Sequence, residues 1–523
     1  MSNDWSHAVD HVADISRQTL RLRHGRAPPA TVQQLFERDA PPSASKHISA
    51  PAIARQFNFK DPLFSAQWHL VNDEDYGHDL NVTGVWSMGV TGKNVTVAII
   101  DDGVEYDSDD LRANFAPEAS YDFNEHTNLP TPKLWDDYHG TRCAGQIAAV
   151  ANDVCGVGVA YNSRVGGLRI LSGPITDVDE AAALNYAFQT TSVYSCSWGP
   201  ADDGKAMEAP NEMIMRAMIK GIEEGRKGKG SVYVFATGNG GFWGDNCNFD
   251  GYTNSIYTIS VGAIDHTDSH PFYSEACSAQ LVVTYSNGGG KFITTTNKGK
   301  RECTDRHGGT SAAAPLAAGV MALVLSARPD LTWRDVQHLC VQTAIPVSLS
   351  DPDWTPVANG RIYNHKYGYG KLDAFRIVEA AKSFKLVRNQ TWYEAPWVIV
   401  NSNIPQGSQT GLTSTVKIEQ SNLDEAELGR LEHVTVTINL EHSYRGDVEV
   451  HLVSPHGYTS ELAAVRPLDD NKNGYRMWTF MTVKHWDENP LGDWTLRVLD
   501  RQHPEYTGKL LNWTMTLWGE EIE

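Results

Sequence analysis

Asp101, His139 and Ser311 have the types and settings that covalent acyl transfer requires. The apolar run Val95-Thr96-Val97-Ala98-Ile99-Ile100 leads directly into Asp101-Asp102-Gly103. This puts carboxylates at the carboxyl end of a parallel strand, where α/β sheets bind their ligands. His139-Gly140-Thr141 opens a helical run expected over Arg142 to Val150, and its glycine lets another chain pass close to the imidazole. Gly308-Gly309-Thr310-Ser311-Ala312-Ala313-Ala314-Pro315 leads into an apolar helix that ends near Ser326. Each piece has a structural alternative, since acids and serines also cap helices without doing chemistry. Their conjunction favours a nucleophile, Ser311, a general base and acid, His139, and an orienting carboxylate, Asp101. Ala236-Thr237-Gly238-Asn239-Gly240-Gly241 follows a further strand. An asparagine there can be a turn residue or an oxyanion donor. Beside the other three, Asn239 and the Ser311 amide read as the oxyanion hole.

The elements that must position these residues follow from hydropathy patterning. From about Asn58 to Phe384, nearly continuous apolar runs such as Val193-Tyr194-Ser195-Cys196, Val232-Tyr233-Val234-Phe235-Ala236 and Ile256-Tyr257-Thr258-Ile259-Ser260-Val261 alternate with helical stretches. Strands covered on both faces read this way, so an α/β domain with a parallel sheet is expected over 56–385. Beyond it, Val434, Val436, Ile438 and Leu440 alternate with polar residues, as do Trp513, Met515 and Leu517, and turn signals recur. That period of two predicts an all-β sandwich, jelly-roll-like, over 386–523. Residues 1–55, with Arg17, Arg21, Arg23, Arg26 and two Pro-Pro pairs, read as a separate, weakly ordered arm.

The 523 residues carry a formal charge of −20, which argues against binding nucleic-acid backbones and in favour of basic partners. The apolar share of 41% is enough for packed cores. The stretch Ala312 to Ala327 is too short to span a bilayer, and no basic-then-apolar leader follows Met1.

These residues resemble the subtilisin superfamily, in which the triad runs in the chain order Asp, His, Ser. Within it they resemble the kexin/furin group of proprotein convertases, fungal kexins above all. The resemblance covers about residue 58 to the end. It is carried by Asp61-Pro62-Leu63-Phe64 with Trp68, Asp136 through Gly145, Cys196-Ser197-Trp198-Gly199-Pro200 and Asp250-Gly251-Tyr252-Thr253-Asn254-Ser255. In the last domain Tyr444-Arg445-Gly446-Asp447, Leu452-Val453-Ser454-Pro455 and Trp478-Thr479-Phe480-Met481 look like that group's P domain. The implied activity is calcium-dependent serine endoproteolysis of precursor proteins after Lys-Arg and Arg-Arg.

Two adjacent cationic side chains need several carboxylates around one cleft. Asp102, Asp136, Asp137, Asp202, Asp203 and Asp250 all stand near catalytic landmarks. The resemblance implies that Asp202 and Asp250 line the pocket for the Arg before the scissile bond, Asp102 with Asp136 the next one, and Glu180, Glu208 and Tyr252 the outlying subsites. It also implies two Ca2+ sites. One uses Asp61 and Asp110 with Val150, Asn152, Val154 and Gly156, where either Asn152 or Asp153 supplies the side chain. The other uses Asp202, Asp245 and Glu275. Disulfides Cys155–Cys303 and Cys247–Cys277 follow by the same resemblance and leave Cys143, Cys196 and Cys340 free. A monomer in the secretory pathway, late Golgi-like, is implied. The sequons at Asn81, Asn94, Asn389 and Asn512 agree with secretion. Arg445-Gly446-Asp447, an adhesion tripeptide by spelling, reads as structural within a strand edge.

The arm has the character of a prosegment remnant, a partner of its own enzyme, with Arg26 or Arg38 as self-cleavage points. Arg23 and Arg26 suit the outlying and primary pockets. Two other readings stay open from the residues alone: a silent module that binds basic peptides, and a broad-specificity subtilase.

Overall fold

The computed structural model describes residues 20–25 and 48–522. Seven parallel strands form the central sheet: β1 (Thr96–Asp101), β2 (Tyr121–Asp122), β3 (Arg164–Arg169), β4 (Val193–Cys196), β5 (Val232–Ala236), β6 (Thr258–Ile264) and β7 (Val282–Tyr285). Their order is β2-β3-β1-β4-β5-β6-β7. The order reverses beside β1, so Asp101, its last residue, sits at the crevice that α/β sheets use for ligands. β4 to β7 are buried throughout, which explains their unbroken apolar runs.

The helices around the sheet are α1 (Ala50–Phe57), α2 (His139–Ala148), α3 (Asp177–Leu184), α4 (Glu212–Gly228), α5 (Thr310–Ala327), α6 (Trp333–Thr343) and α7 (Ala374–Ser383). α3 and α6 start with capping boxes, Thr176 with Asp179 and Thr332 with Asp335. α5 is apolar around its whole circumference and buried from Thr310 to Leu325, as a helix through the middle of a core must be. At 18 residues it runs longer than the stretch expected to be too short for a bilayer, and by length and composition alone it could cross one, yet it lies packed against α2 and the sheet.

The second domain is a two-sheet sandwich. Strands β8 (Gln390–Glu394), β9 (Val398–Asn403), β11 (Leu428–His442), β14 (Tyr475–Thr482) and β16 (Gly508–Glu521) form one sheet. Strands β10 (Leu412–Ile418), β12 (Val448–Val453), β13 (Thr459–Ala463) and β15 (Gly492–Asp500) form the other. All pairings are antiparallel. Val434, Val436, Ile438 and Leu440 are buried on β11, matching their period of two.

The two domains interlock. Met481, Val483 and Trp486 of the sandwich join the catalytic core, and Phe249 of the catalytic domain joins the sandwich core. Asn248 exchanges hydrogen bonds with the Met481 backbone, and Trp486 Nε1 donates to His338 Nδ1 at 3.1 Å. The sandwich therefore covers an apolar face of the first domain.

Three expectations need correction. The boundary at residue 55 cuts through α1, whose Ala50 and Ile53 are buried in the catalytic core. The catalytic domain thus starts near Ser49, because an eight-residue helix with an apolar stripe needs a core to cover it. The helix expected from Arg142 begins at His139 itself. Arg445–Asp447 is a buried 3-10 turn, not a strand edge, and Arg445 pairs with Asp469 at 2.7 Å, so it is structural as expected.

Candidate active site

The end of β1 and the start of α2 meet at Asp101 and His139. His139 Nδ1 lies 2.9 Å from both Asp101 carboxylate oxygens. The approach needs a glycine, because a Cβ on Gly140 would come within 2.3 Å of the Gly103 carbonyl. Asp102 caps α2, accepting from His139 N at 2.9 Å and Gly140 N at 2.7 Å. Burial acts to lower the His139 pKa, but Asp101, with Asp102 behind it, outweighs burial and the net shift is upward. Burial and the Asp101 charge push Asp102 up from the ordinary carboxylate range. His139 Nε2 is buried without a hydrogen-bond partner.

Ser311 is the second residue of α5, and its hydroxyl donates to the Ser197 carbonyl at 3.4 Å. Asn239 Oδ1 accepts from the Thr310 amide at 2.9 Å and its hydroxyl at 3.1 Å. That grip fixes the amide plane and leaves Asn239 Nδ2 buried and unpartnered. An unused donor beside a nucleophile is what a developing oxyanion requires. Cys143 lies one turn after His139, with Sγ 3.6 Å from the Ser311 carbonyl and 3.8 Å from His307 Nε2. Burial, with Asp101 and Asp102, holds its thiol well above the usual range.

The acids fall into groups. Asp202, Asp245, Asp250 and Glu275 line one small recess next to this site. Asp202 Oδ2 accepts the Asn239 amide at 2.9 Å, and Glu275 Oε1 accepts the Gly240 amide at 3.0 Å. Glu180, Glu208 and Tyr252 form a second group, and it is filled by Arg23 of the arm. Arg23 Nε is 2.9 Å from Glu180 Oε2, Nη1 is 2.7 Å from Glu208 and Nη2 is 2.8 Å from the Tyr252 hydroxyl. The next residues, His24 and Gly25, pair antiparallel with Gly199 and Trp198. Arg26 and Arg38 lie outside the described residues. Asp136 is exposed. Asp137 does not serve the cleft, which corrects its expected role. It is buried, 3.1 Å from Arg169 Nη2, and accepts the Lys133 and Leu134 amides. Its Arg169 partner had no local signal.

The family model for the subtilase family matches residues 92–370, and that for the proprotein convertase P-domain matches residues 431–517. The chain belongs to the subtilase family. Among curated relatives, Protease KEX1 of Kluyveromyces lactis is 52% identical over 467 residues, 89% of this chain and 61% of the relative. Kexin of Saccharomyces cerevisiae is 48% identical over 494 residues, 94% of this chain and 60% of the relative. The dibasic-processing endoprotease of Schizosaccharomyces pombe is 48% identical over 514 residues, 97% and 70% respectively. This subtilase therefore spans 61% and 60% of the length of the first two. A solved serine protease of Aeromonas sobria shares the fold, with TM-score 0.79 at 22% identity over 95% of this chain and 100% of that one.

The subtilase has one further cluster, at the loop after α2. Asp61 accepts the Asn152 amide at 3.0 Å, and the Val150 amide donates to the Asp110 carbonyl at 2.9 Å. Asn152 Nδ2 reaches the Asp109 carbonyl and Asp110 Oδ1, and its Oδ1 accepts the Val154 amide at 2.6 Å. Asp153 instead points to solvent and pairs with Arg301 at 3.1 Å, so the inward side chain is Asn152. Burial pushes Asp61 up to about 6 and Asp110 to about 7, the latter also through Asp61. Two buried carboxylates that repel each other, with the Asn152 side chain turned toward them, fit a hard dication. Disulfides Cys155–Cys303 and Cys247–Cys277 tie this loop and the recess loop, and Cys143, Cys196 and Cys340 are free and buried.

Proposed function

We propose that this chain is a calcium-dependent serine endoprotease that cleaves precursor proteins after paired basic residues. Asp101 holds the His139 ring with Nε2 toward the nucleophile. Nε2 takes the Ser311 hydroxyl proton as Oγ attacks the scissile carbonyl, then returns it to the leaving amine. Asn239 Nδ2 and the Ser311 amide receive the oxyanion. Asp61, Asp110 and Asn152 would hold one Ca2+, and Asp202, Asp245 and Glu275 a second. When bound, the ions neutralise clustered acids and stiffen the loops.

The observation that carries this reading is Arg23, seated among Glu180, Glu208 and Tyr252 on a strand laid along Trp198–Gly199. A cation leading into a strand paired with Gly199 and Trp198, next to the Ser197 carbonyl that Ser311 meets, supports the reading of a bound basic substrate. It also supports the arm as a prosegment, with Arg26, three residues after Arg23, as the proposed cleavage point. Two disulfides support a secretory compartment. The relatives named for dibasic processing agree with the specificity.

The test is a peptide library with purified protein and its Ser311→Ala variant. Cleavage confined to sites after Lys-Arg and Arg-Arg, lost in the variant, is expected. Equal cleavage of Ala-Ala and Lys-Arg peptides would point to a broad subtilase, and basic-peptide binding without fluorophosphonate labelling to a silent module. N-terminal sequencing tests the arm: an intact Met1 in active enzyme rules out self-cleavage at Arg26.

A further inference from the structure

Arg466 belongs to the sandwich, between β13 and β14, yet its guanidinium ends beneath the recess of the catalytic domain. The residue is 0% exposed. Nη2 lies 3.1 Å from Asp245 Oδ1 and donates to the Ala206 carbonyl at 2.6 Å. Nη1 donates to Asp469 Oδ2 at 2.9 Å, and the guanidinium stacks 4.1 Å over the Phe249 ring. Asp469 is shared with Arg445, whose Nη2 donates to the Lys205 carbonyl at 2.8 Å. Two sandwich arginines thus grip the segment that follows Asp202-Asp203.

The contacts continue into the catalytic site. Asp245 Oδ2 accepts the Gly204 amide at 2.8 Å, and the Asp245 amide donates to the Gly240 carbonyl at 3.0 Å. Gly240 adjoins Asn239, whose own amide is held by Asp202. A Cβ on Gly240 would come within 2.5 Å of the Asp245 Cβ, so Asp245 packs directly against the backbone next to Asn239. Arg466 therefore touches one end of a short, packed chain of groups whose other end is the oxyanion donor. Along the way lie two of the recess carboxylates.

We propose that Arg466 is a positioning residue. From the sandwich it fixes Asp245, and through Asp245 it fixes the backbone that aims Asn239 Nδ2 at the oxyanion and Asp202 at the basic side chain before the bond. The second domain then sets both turnover and the choice of that side chain, not stability alone. This rests on the reading of the chain as a protease for basic sites.

The experiment uses the full chain and three substitutions: Arg466→Met, which keeps the stem over Phe249, Arg466→Lys, which keeps the charge without the fork, and Asp469→Asn, which loosens Arg466 in place. Two fluorogenic peptides differing only in Arg or Lys before the bond give kcat and KM. A fluorophosphonate reports Ser311 and the oxyanion hole without the basic pocket. Expected for Arg466→Met are a kcat loss of about tenfold or more, below the 10²–10³ of losing an oxyanion donor outright, slower labelling and an Arg-to-Lys ratio closer to one. Arg466→Lys should recover part of the loss, and Asp469→Asn should move kcat the same way by less. Unchanged kcat, labelling rate and Arg-to-Lys ratio in folded Arg466→Met, with only the melting temperature lowered, would overturn the proposal. If Arg466→Met does not fold, unchanged values in Asp469→Asn overturn it equally. Wild-type protein that labels but ignores both peptides refutes the protease reading instead, and the labelling rates still decide whether Arg466 positions the oxyanion loop.

Discussion

Arg23 and Glu180 form an ion pair at 2.9 Å with side chains 0% and 1% exposed, joining the arm to α3 across 157 residues of sequence. Glu208, the other carboxylate on Arg23, is 42% exposed. Truncating one partner of a buried charge pair costs about 2 kcal/mol or more, an exposed one under about 1 kcal/mol. Glu180→Gln should therefore reduce kcat/KM roughly 30-fold for peptides with Arg at the fourth position before the bond, and Glu208→Gln only a few-fold. Equal losses in peptide kinetics would contradict the assignment.

Asn239 Nδ2 has no ground-state partner, so Asn239→Ala removes a donor used only as charge develops. kcat should fall about 10²–10³-fold with KM little changed. A rise in KM at constant kcat would place the side chain in substrate binding instead.

The His139 shift is upward, and only the neutral ring accepts the Ser311 proton. Activity should rise with pH through a midpoint above the ordinary imidazole value. Asp102→Asn, which deletes a charge that favours the imidazolium, should move that midpoint down. A pH–rate profile of both proteins checks the order of the two midpoints.

Glu432 is buried at the domain junction between Arg334, 3.0 Å away, and His338, 2.8 Å away. Burial acts to raise its pKa, but the two partners win and hold it far below the carboxylate range. A depressed carboxylate contributes stability that is present above its unfolded pKa, roughly 4.3, and lost as pH falls toward the folded value. Glu432→Gln should cost about 3 kcal/mol at neutral pH, with a smaller difference in acid. Thermal melts of the two proteins between pH 7 and pH 3 should therefore converge.

Chelating calcium should lower the melting temperature, because a ligand that binds only the folded state stabilises it by mass action. In Asp61→Asn the response to added Ca2+ should shrink, since one of two repelling buried carboxylates is gone. An identical calcium response in both proteins would remove Asp61 from the site.

The sequence by itself determined the elements and which candidate residues they carry. An apolar run ending in Asp101, a glycine after His139, a small-residue helix start at Ser311 and the alternation on β11 are each readable within a few positions, because strand and helix burial impose short periods. The free and paired cysteines were readable too, through resemblance. Tertiary structure alone decided how the charges pair. Asp136 and Asp137 are neighbours, but only Asp137 meets Arg169, and Asn152 turns inward while Asp153 meets Arg301. Arg466 lies 221 residues from Asp245, and nothing in its flanking residues indicates that partner. A carboxylate has no periodicity to reveal its cation: Coulomb attraction acts through space, and only the fold brings such distant groups within hydrogen-bonding reach.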